Sequence, residues 1–165
     1  CNKSIIPVRN WLNLFTYFMK PTTYKINSTL NTLKQYFSTR EDVLMSFIFG
    51  SFIKGREHEG SDVDIAIYLK PERNQLEIEE PVYYKSEDEI WGNLEHILKK
   101  EVDLIILNRS PVNISDIVVR EGFPIVIKDR RTFLRYMVAV SDLAVEYRNF
   151  VEDYWKRKNA YTSRP

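Results

Sequence analysis

Apolar residues recur along this chain in two rhythms, and the switch between them marks out the elements. From Ser28 onward, Leu30, Leu33, Tyr36 and Phe37 fall at steps of three and four, which predicts an amphipathic helix with Ser28 as its N-terminal cap. Residues 43–49 (VLMSFIF) form a short continuous apolar run closed by Gly50-Ser51, the signature of a buried strand that ends in a turn where a further helix begins. Val63, Ile65 and Ile67 then alternate with Asp62 and Asp64. In an extended strand that spacing puts both carboxylates on one face and the three branched residues on the other. Residues 70–81 are polar, carry two prolines and read as a loop. Ser86 with Glu89 has the spacing of a capping box, followed by a helix whose buried face is Ile90, Leu94, Ile97 and Leu98 and whose end is Lys99-Lys100.

The next run, EVDLIIL at 101–107, is a third strand. Asp103 shares a face with Ile105 and Leu107, and Val102, Leu104 and Ile106 take the other. A strand apolar on both faces is expected in the interior of a sheet, where an ionised Asp103 needs a compensating partner. That partner is a metal shared with Asp62 and Asp64, or a Lys or Arg; a wet position at the strand end would remove the need. Residues 111–121 read as a helix stopped by Gly122, and 123–128 as a short strand. From 129 to about 158, Phe133, Met137, Val140, Ala144, Tyr147, Val151 and Tyr154 alternate at steps of four and three, one seam along a long C-terminal helix. The order of elements predicts an α/β (α+β) domain with a small mixed sheet flanked by helices.

Composition narrows the functional classes. At 165 residues, with 44% hydrophobic and 28% charged, the chain holds one ordinary globular core. A formal net charge of +1 gives no broad electrostatic case for direct nucleic-acid binding. No stretch reaches the roughly 18 apolar residues of a membrane span. Cys1 is the single cysteine, which excludes an internal disulfide framework and fits a reducing, cytoplasmic setting. Residues 1–26 contain Lys3, Arg9, Lys20 and Lys25 without an acid, and Trp11, Leu12, Phe15, Phe18 and Met19 fall on one helical face. They read as a basic amphipathic extension before a domain of residues 27–165. Such an extension either packs on the core or docks against a partner or membrane surface.

The chemistry centres on GSFIKGREHEGSDVDIAIY, residues 50–68. Two carboxylates side by side repel unless a cation lies between them, and a hard divalent ion such as Mg²⁺ takes oxygen ligands while keeping positions for phosphate. Gly50 lets the backbone approach a ligand closely, and Ser51 with neighbouring N–H groups offers an anion site. Each piece alone also fits a solvated strand end or an ordinary turn. Together, Gly50-Ser51, the ten-residue spacer, Asp62-x-Asp64 and a later strand bearing Asp103 resemble the nucleotidyltransferase superfamily related to DNA polymerase beta.

Within that superfamily, FGSFIKGREHEGSDVDIAI, VDLIIL and the tail beginning at Gly122 resemble the minimal nucleotidyltransferases (MNT), the MntA-type antitoxins paired with HEPN-domain toxins. The likeness spans about residues 28–154 and departs at Phe52 and Ile53, where relatives often carry Arg and a small residue. It implies a polymerase-beta-like fold in which Asp62, Asp64 and Asp103 are catalytic and hold two Mg²⁺ ions. Gly50, Ser51 and Lys54 would bind the ATP phosphates, and AMP would pass to a tyrosine hydroxyl of a HEPN toxin. The resemblance leaves two alternatives: transfer to a small-molecule or RNA hydroxyl, and a non-catalytic antitoxin that neutralises by contact.

Overall fold

The computed structural model describes residues 23–53, 62–73 and 75–162. The basic extension before residue 23 and the Lys54 side chain therefore lie outside the described residues. Helix α1 (Thr23–Thr39) leads into strand β1 (Val43–Ile48), one helical turn α2 (Gly50–Ile53) and strand β2 (Val63–Leu69). Helix α3 (Glu87–Leu98), strand β3 (Val102–Ile106), helix α4 (Val112–Glu121), strand β4 (Phe123–Ile127) and the long helix α5 (Arg130–Thr162) complete the chain. The expected α/β class with a small mixed sheet is what forms. The described residues of 70–81 contain neither helix nor strand, as the two prolines predict.

The sheet order is β3-β2-β1-β4. β1 pairs antiparallel with both β2 and β4, and β2 pairs parallel with β3. The parallel pair needs a crossover, which α3 supplies. Pro124 lies on β4, at the sheet edge where a missing N–H costs least.

Period-two alternation along β2 builds a core on each face. Val63, Ile65, Ile67 and Leu69 meet Leu33 and Phe37 of α1 and Ile90 and Leu94 of α3. Ala66 and Tyr68 meet Val112 and Val118 of α4 and Tyr136 and Val140 of α5. Burying each large side chain contributes about 1.5–3 kcal/mol, so both helical layers are held mainly by these stripes. Asp64 belongs to the same row as Ala66 and Tyr68 but lies beyond the end of that packing and is only half-buried.

Four expectations are corrected. α1 begins at Thr23, so Ser28 is inside the helix and not its cap. Ser86 occupies the N-cap of α3 without a side-chain cap bond, because both members of the expected box are engaged elsewhere. Its hydroxyl donates to Asp42, and Glu89 accepts from Arg40. β3 is an edge strand rather than an interior one: α3 and residues of the α4–α5 layer cover its two faces, which is why both read as apolar. The α5 seam turns on Tyr136, fully buried with its hydroxyl donating to the Leu107 carbonyl, whereas Met137 is only half-buried. Beyond Ala144 the seam leaves the core, and Tyr147 and Tyr154 are exposed.

Gly122 does end α4, but in extended conformation and not in the left-handed one. A Cβ there would meet the Val118 carbonyl oxygen at 2.4 Å, so close passage of the backbone is what requires glycine.

Candidate functional site

The end of β1 delivers the chain directly onto Asp64. The Phe49 N–H donates to the Asp64 carbonyl at 3.0 Å, and the next residue, Gly50, takes φ +71°. That left-handed turn swings Ser51 back so that its N–H donates to the Asp64 carboxylate. Gly50 is fixed by space as well as by angle, since a Cβ there would lie 1.9 Å from Asp64 Oδ2. The Ser51 N–H, expected as part of an anion site, is here directed to the Asp64 carboxylate.

Asp103 reaches the same place through the sheet. In the parallel pairing Asp64 is directly in register with Asp103, and residues in register project to the same face. Parallel strands lie roughly 5 Å apart, so the two carboxylates are near neighbours. Asp62 is exposed just before β2 begins. The structure therefore brings Asp64 and Asp103 together with Gly50 and Ser51, and holds Asp62 at the head of the same strand. The reason for Asp103 differs from the sequence argument: it is exposed on an edge strand, so register and not desolvation gives it its neighbour.

Among the described residues nothing neutralises these charges. Burial first, and then the negative charges of Asp103 and Asp62, push the Asp64 carboxyl above the usual carboxylate range, against the opposing hydrogen bond from Ser51. Among the described residues no Lys or Arg forms an ion pair with any of the three. Nor do the described residues hold three acidic, His or Cys side chains already gathered at metal-holding distance. The donor chemistry fits magnesium, because carboxylates that repel one another are what a hard divalent cation relieves. Phe52, where the sequence departs from the family pattern, is 4% exposed and packs in the core, with Lys100 Nζ 5.9 Å from its ring centre. Its apolar character serves packing.

Sequence reasoning missed what lies along the outer edge of β3. An open groove of about 240 Å³ runs between this strand and α3, lined by Asp88, Trp91, Asp103, Leu104 and Arg109 among others. Trp91 is half-exposed, and its indole N–H donates to the Val102 carbonyl at 2.8 Å. Arg109 grips the buried Glu87 through both of its terminal nitrogens at the groove's end. The signal was present: Trp91 falls beside the Ile90–Leu94 stripe and not on it, an aromatic residue unclaimed by the core.

With this geometry in hand, the family is plain. Residues 31–131, well over half the chain, match the family of polymerase beta nucleotidyltransferases, and the chain belongs to it. It is accordingly a nucleotidyltransferase domain. Solved structures with the same fold come from toxin–antitoxin systems. A chain of a toxin–antitoxin complex with AMP-PNP aligns with TM-score 0.57 and 20% identity, over 76% of this chain and 98% of that one. A chain of an MntA–HepT complex gives 0.53 and 17%, over 78% and 98%. A tri-AMPylated Shewanella oneidensis HEPN toxin in complex with its MNT antitoxin gives 0.54 and 17%, over 79% and 98%. No curated protein matches the sequence significantly. No described helix is long and apolar enough to cross a membrane.

Proposed function

We propose that the protein transfers AMP from ATP to a tyrosine hydroxyl of a HEPN-domain toxin and thereby acts as its antitoxin. The observation that carries this reading is the register of Asp64 with Asp103 beside the Gly50 turn, which sets two acids side by side with the Ser51 N–H on one of them. The structural likeness to complexes containing AMP-PNP and an AMPylated HEPN toxin supports the choice of nucleotide and partner. So does the far half of α5, where Tyr147, Phe150, Tyr154 and Trp155 are all about half or more exposed. Large exposed apolar groups of that kind mark a protein-binding surface.

In this reading Asp62, Asp64 and Asp103 hold Mg²⁺, which when bound would supply the charge that phosphate oxygens require. Gly50 lets the turn close on Asp64, and the Ser51 hydroxyl and Lys54 would contact the phosphates. Asp103 accepts the proton of the acceptor hydroxyl as its oxygen bonds to the α-phosphorus. The bond from that phosphorus to the bridging oxygen breaks, and pyrophosphate leaves with the electron pair. Its charge is met by the N–H groups of the turn.

The test is transfer from ATP labelled on the α-phosphate, with magnesium and a HEPN-domain toxin. Label is expected on a toxin tyrosine, falling at least about 100-fold in Asp64→Asn. Label on RNA or a small alcohol instead would move the acceptor to another class. Neutralisation of the toxin that survives Asp64→Asn would make the protein a binder only.

A further inference from the structure

Among the described residues, the outer edge of β3 has its carbonyls capped at both ends and open in the middle. The bonds from Val63 N–H to Glu101 O and from Leu107 N–H to Ile67 O, with the intervening register, turn residues 101, 103, 105 and 107 toward β2. Val102, Leu104 and Ile106 therefore direct their backbone groups outward. The Val102 carbonyl accepts from Trp91, and the Ile106 carbonyl accepts from the Arg109 and Ser110 N–H groups. Between them the Leu104 N–H and C=O face the groove and make no hydrogen bond among the described residues. Natural sheets usually cover or charge such an edge. Here, among the described residues, the outward N–H groups of Val102 and Ile106 are also without a partner, and Leu104, beside an acid of the candidate site, is the residue whose donor and acceptor are both open.

We infer that this window receives an extended segment of the acceptor polypeptide, which adds to β3 as a fifth strand and so sets its hydroxyl-bearing residue beside Asp103. The inference rests on the reading of the protein as a protein-modifying nucleotidyltransferase and deepens it by assigning the acceptor subsite. Three features select a peptide strand. The free donor and acceptor on Leu104 are the pair that an added strand exchanges at one residue. With both flanking carbonyls taken, only one register is open. The residue opposite Asp103 then shares its face, about 5 Å away across the strand spacing. The groove's volume of about 240 Å³ also falls below the roughly 300–1,000 Å³ of small-molecule pockets, and suits a side chain resting against the Trp91 ring.

The experiment uses the full chain, magnesium, ATP and a HEPN-domain toxin. Leu104→Pro removes the outward N–H, a change that edge strands tolerate because the ladder to β2 does not use it. The acceptor KM is expected to rise at least 10-fold, while heat uptake from Mg–ATP stays at the wild-type value. An unchanged acceptor KM overturns the inference and leaves the activity standing; no transfer by the wild type overturns both. Because the proline variant risks misfolding, amide exchange at Leu104 is followed by NMR in the wild type. Exchange is expected to be fast in the free protein and at least 10-fold slower with toxin bound. Unaltered exchange with toxin overturns the inference, and so does slowing that follows the chain's own concentration without toxin, since that assigns the edge to a second copy.

Discussion

Gly50 and Asp64 are so closely packed that a single carbon added to the glycine would lie 1.9 Å from a carboxylate oxygen. The left-handed turn and the acid are thus one device: the turn's shape sets where the Asp64 oxygens sit, and the Ser51 N–H holds them there.

Gly50→Ala should therefore cost activity far more than stability. The left-handed conformation costs a non-glycine residue about 1–2 kcal/mol. Displacing Asp64 by about an ångström costs about 100-fold in rate. Urea denaturation alongside initial rates of nucleotidyl transfer checks both. Near-normal rates would show that Asp64 is free to give way.

Asp103→Asn should do the opposite to the fold. Like charges opposite one another on adjacent strands destabilise by about 0.2–1 kcal/mol, so the amide is expected to stabilise the magnesium-free protein by that amount. Transfer should fall at least about 100-fold, because the amide accepts no proton. Thermal melts with and without magnesium, beside rates, test the pair of effects.

Much of this site could be read from the chain, because its spacing is local or repeats with a strand's period. Gly50-Ser51 and Asp62-x-Asp64 sit at the two ends of one connection, and the alternation at Asp103 places it on the correct face. What could not be read depends on pairings between distant segments. β3 has apolar residues on both faces whether it is central or, as here, an edge strand covered by helices. Ser86 and Glu89 have capping spacing, yet Asp42 and Arg40 claim them, and these come from the turn after α1. On α5, steps of three and four permit either Tyr136 or Met137 on the seam. The Leu107 carbonyl and Ser115 hydroxyl, which bond the Tyr136 hydroxyl, decide it.

Asn108 shows the same dependence on distant partners and yields a third prediction. Fully buried after β3, it accepts from the Leu69 N–H at 2.9 Å and donates to the Leu69 carbonyl at 3.0 Å, extending the sheet by one side chain. It also donates to Glu77 and Tyr84 of the segment that follows β2. Asn108→Asp removes those donors and sets a carboxylate beside Glu77, with an expected loss of about 3 kcal/mol by urea denaturation. A loss under about 1 kcal/mol would mean the network is not needed.

Acid should weaken the tie between α1 and α3. Burial raises the Asp42 carboxyl, but hydrogen bonds from Arg40 and Ser86 and the charge of Arg40 outweigh it and hold the group below its usual range. A depressed carboxyl contributes stability above its unfolded range, and the contribution disappears as pH falls through the folded value. Asp42→Asn should therefore cost about 0.5–1 kcal/mol at pH 7, discounted for its partial exposure, and progressively less below about pH 4. Denaturant midpoints for both proteins from pH 7 to 3 measure the convergence, and a gap that widens in acid contradicts it.

Removing the chain after Asn149 should barely affect the fold. Phe150, Tyr154 and Trp155 are exposed, and among the described residues the last fully buried position on α5 is Ala144. The midpoint should move by less than about 1 kcal/mol, while under the proposed function affinity for a HEPN-domain toxin falls.

Calorimetric titration of Mg–ATP into the full chain, repeated with Asp64→Asn/Asp103→Asn, tests most directly whether these acids form a metal–nucleotide site. Saturable one-site heat in the wild type, absent from the double variant, is the predicted result; equal heat in both, or none in the wild type, contradicts it.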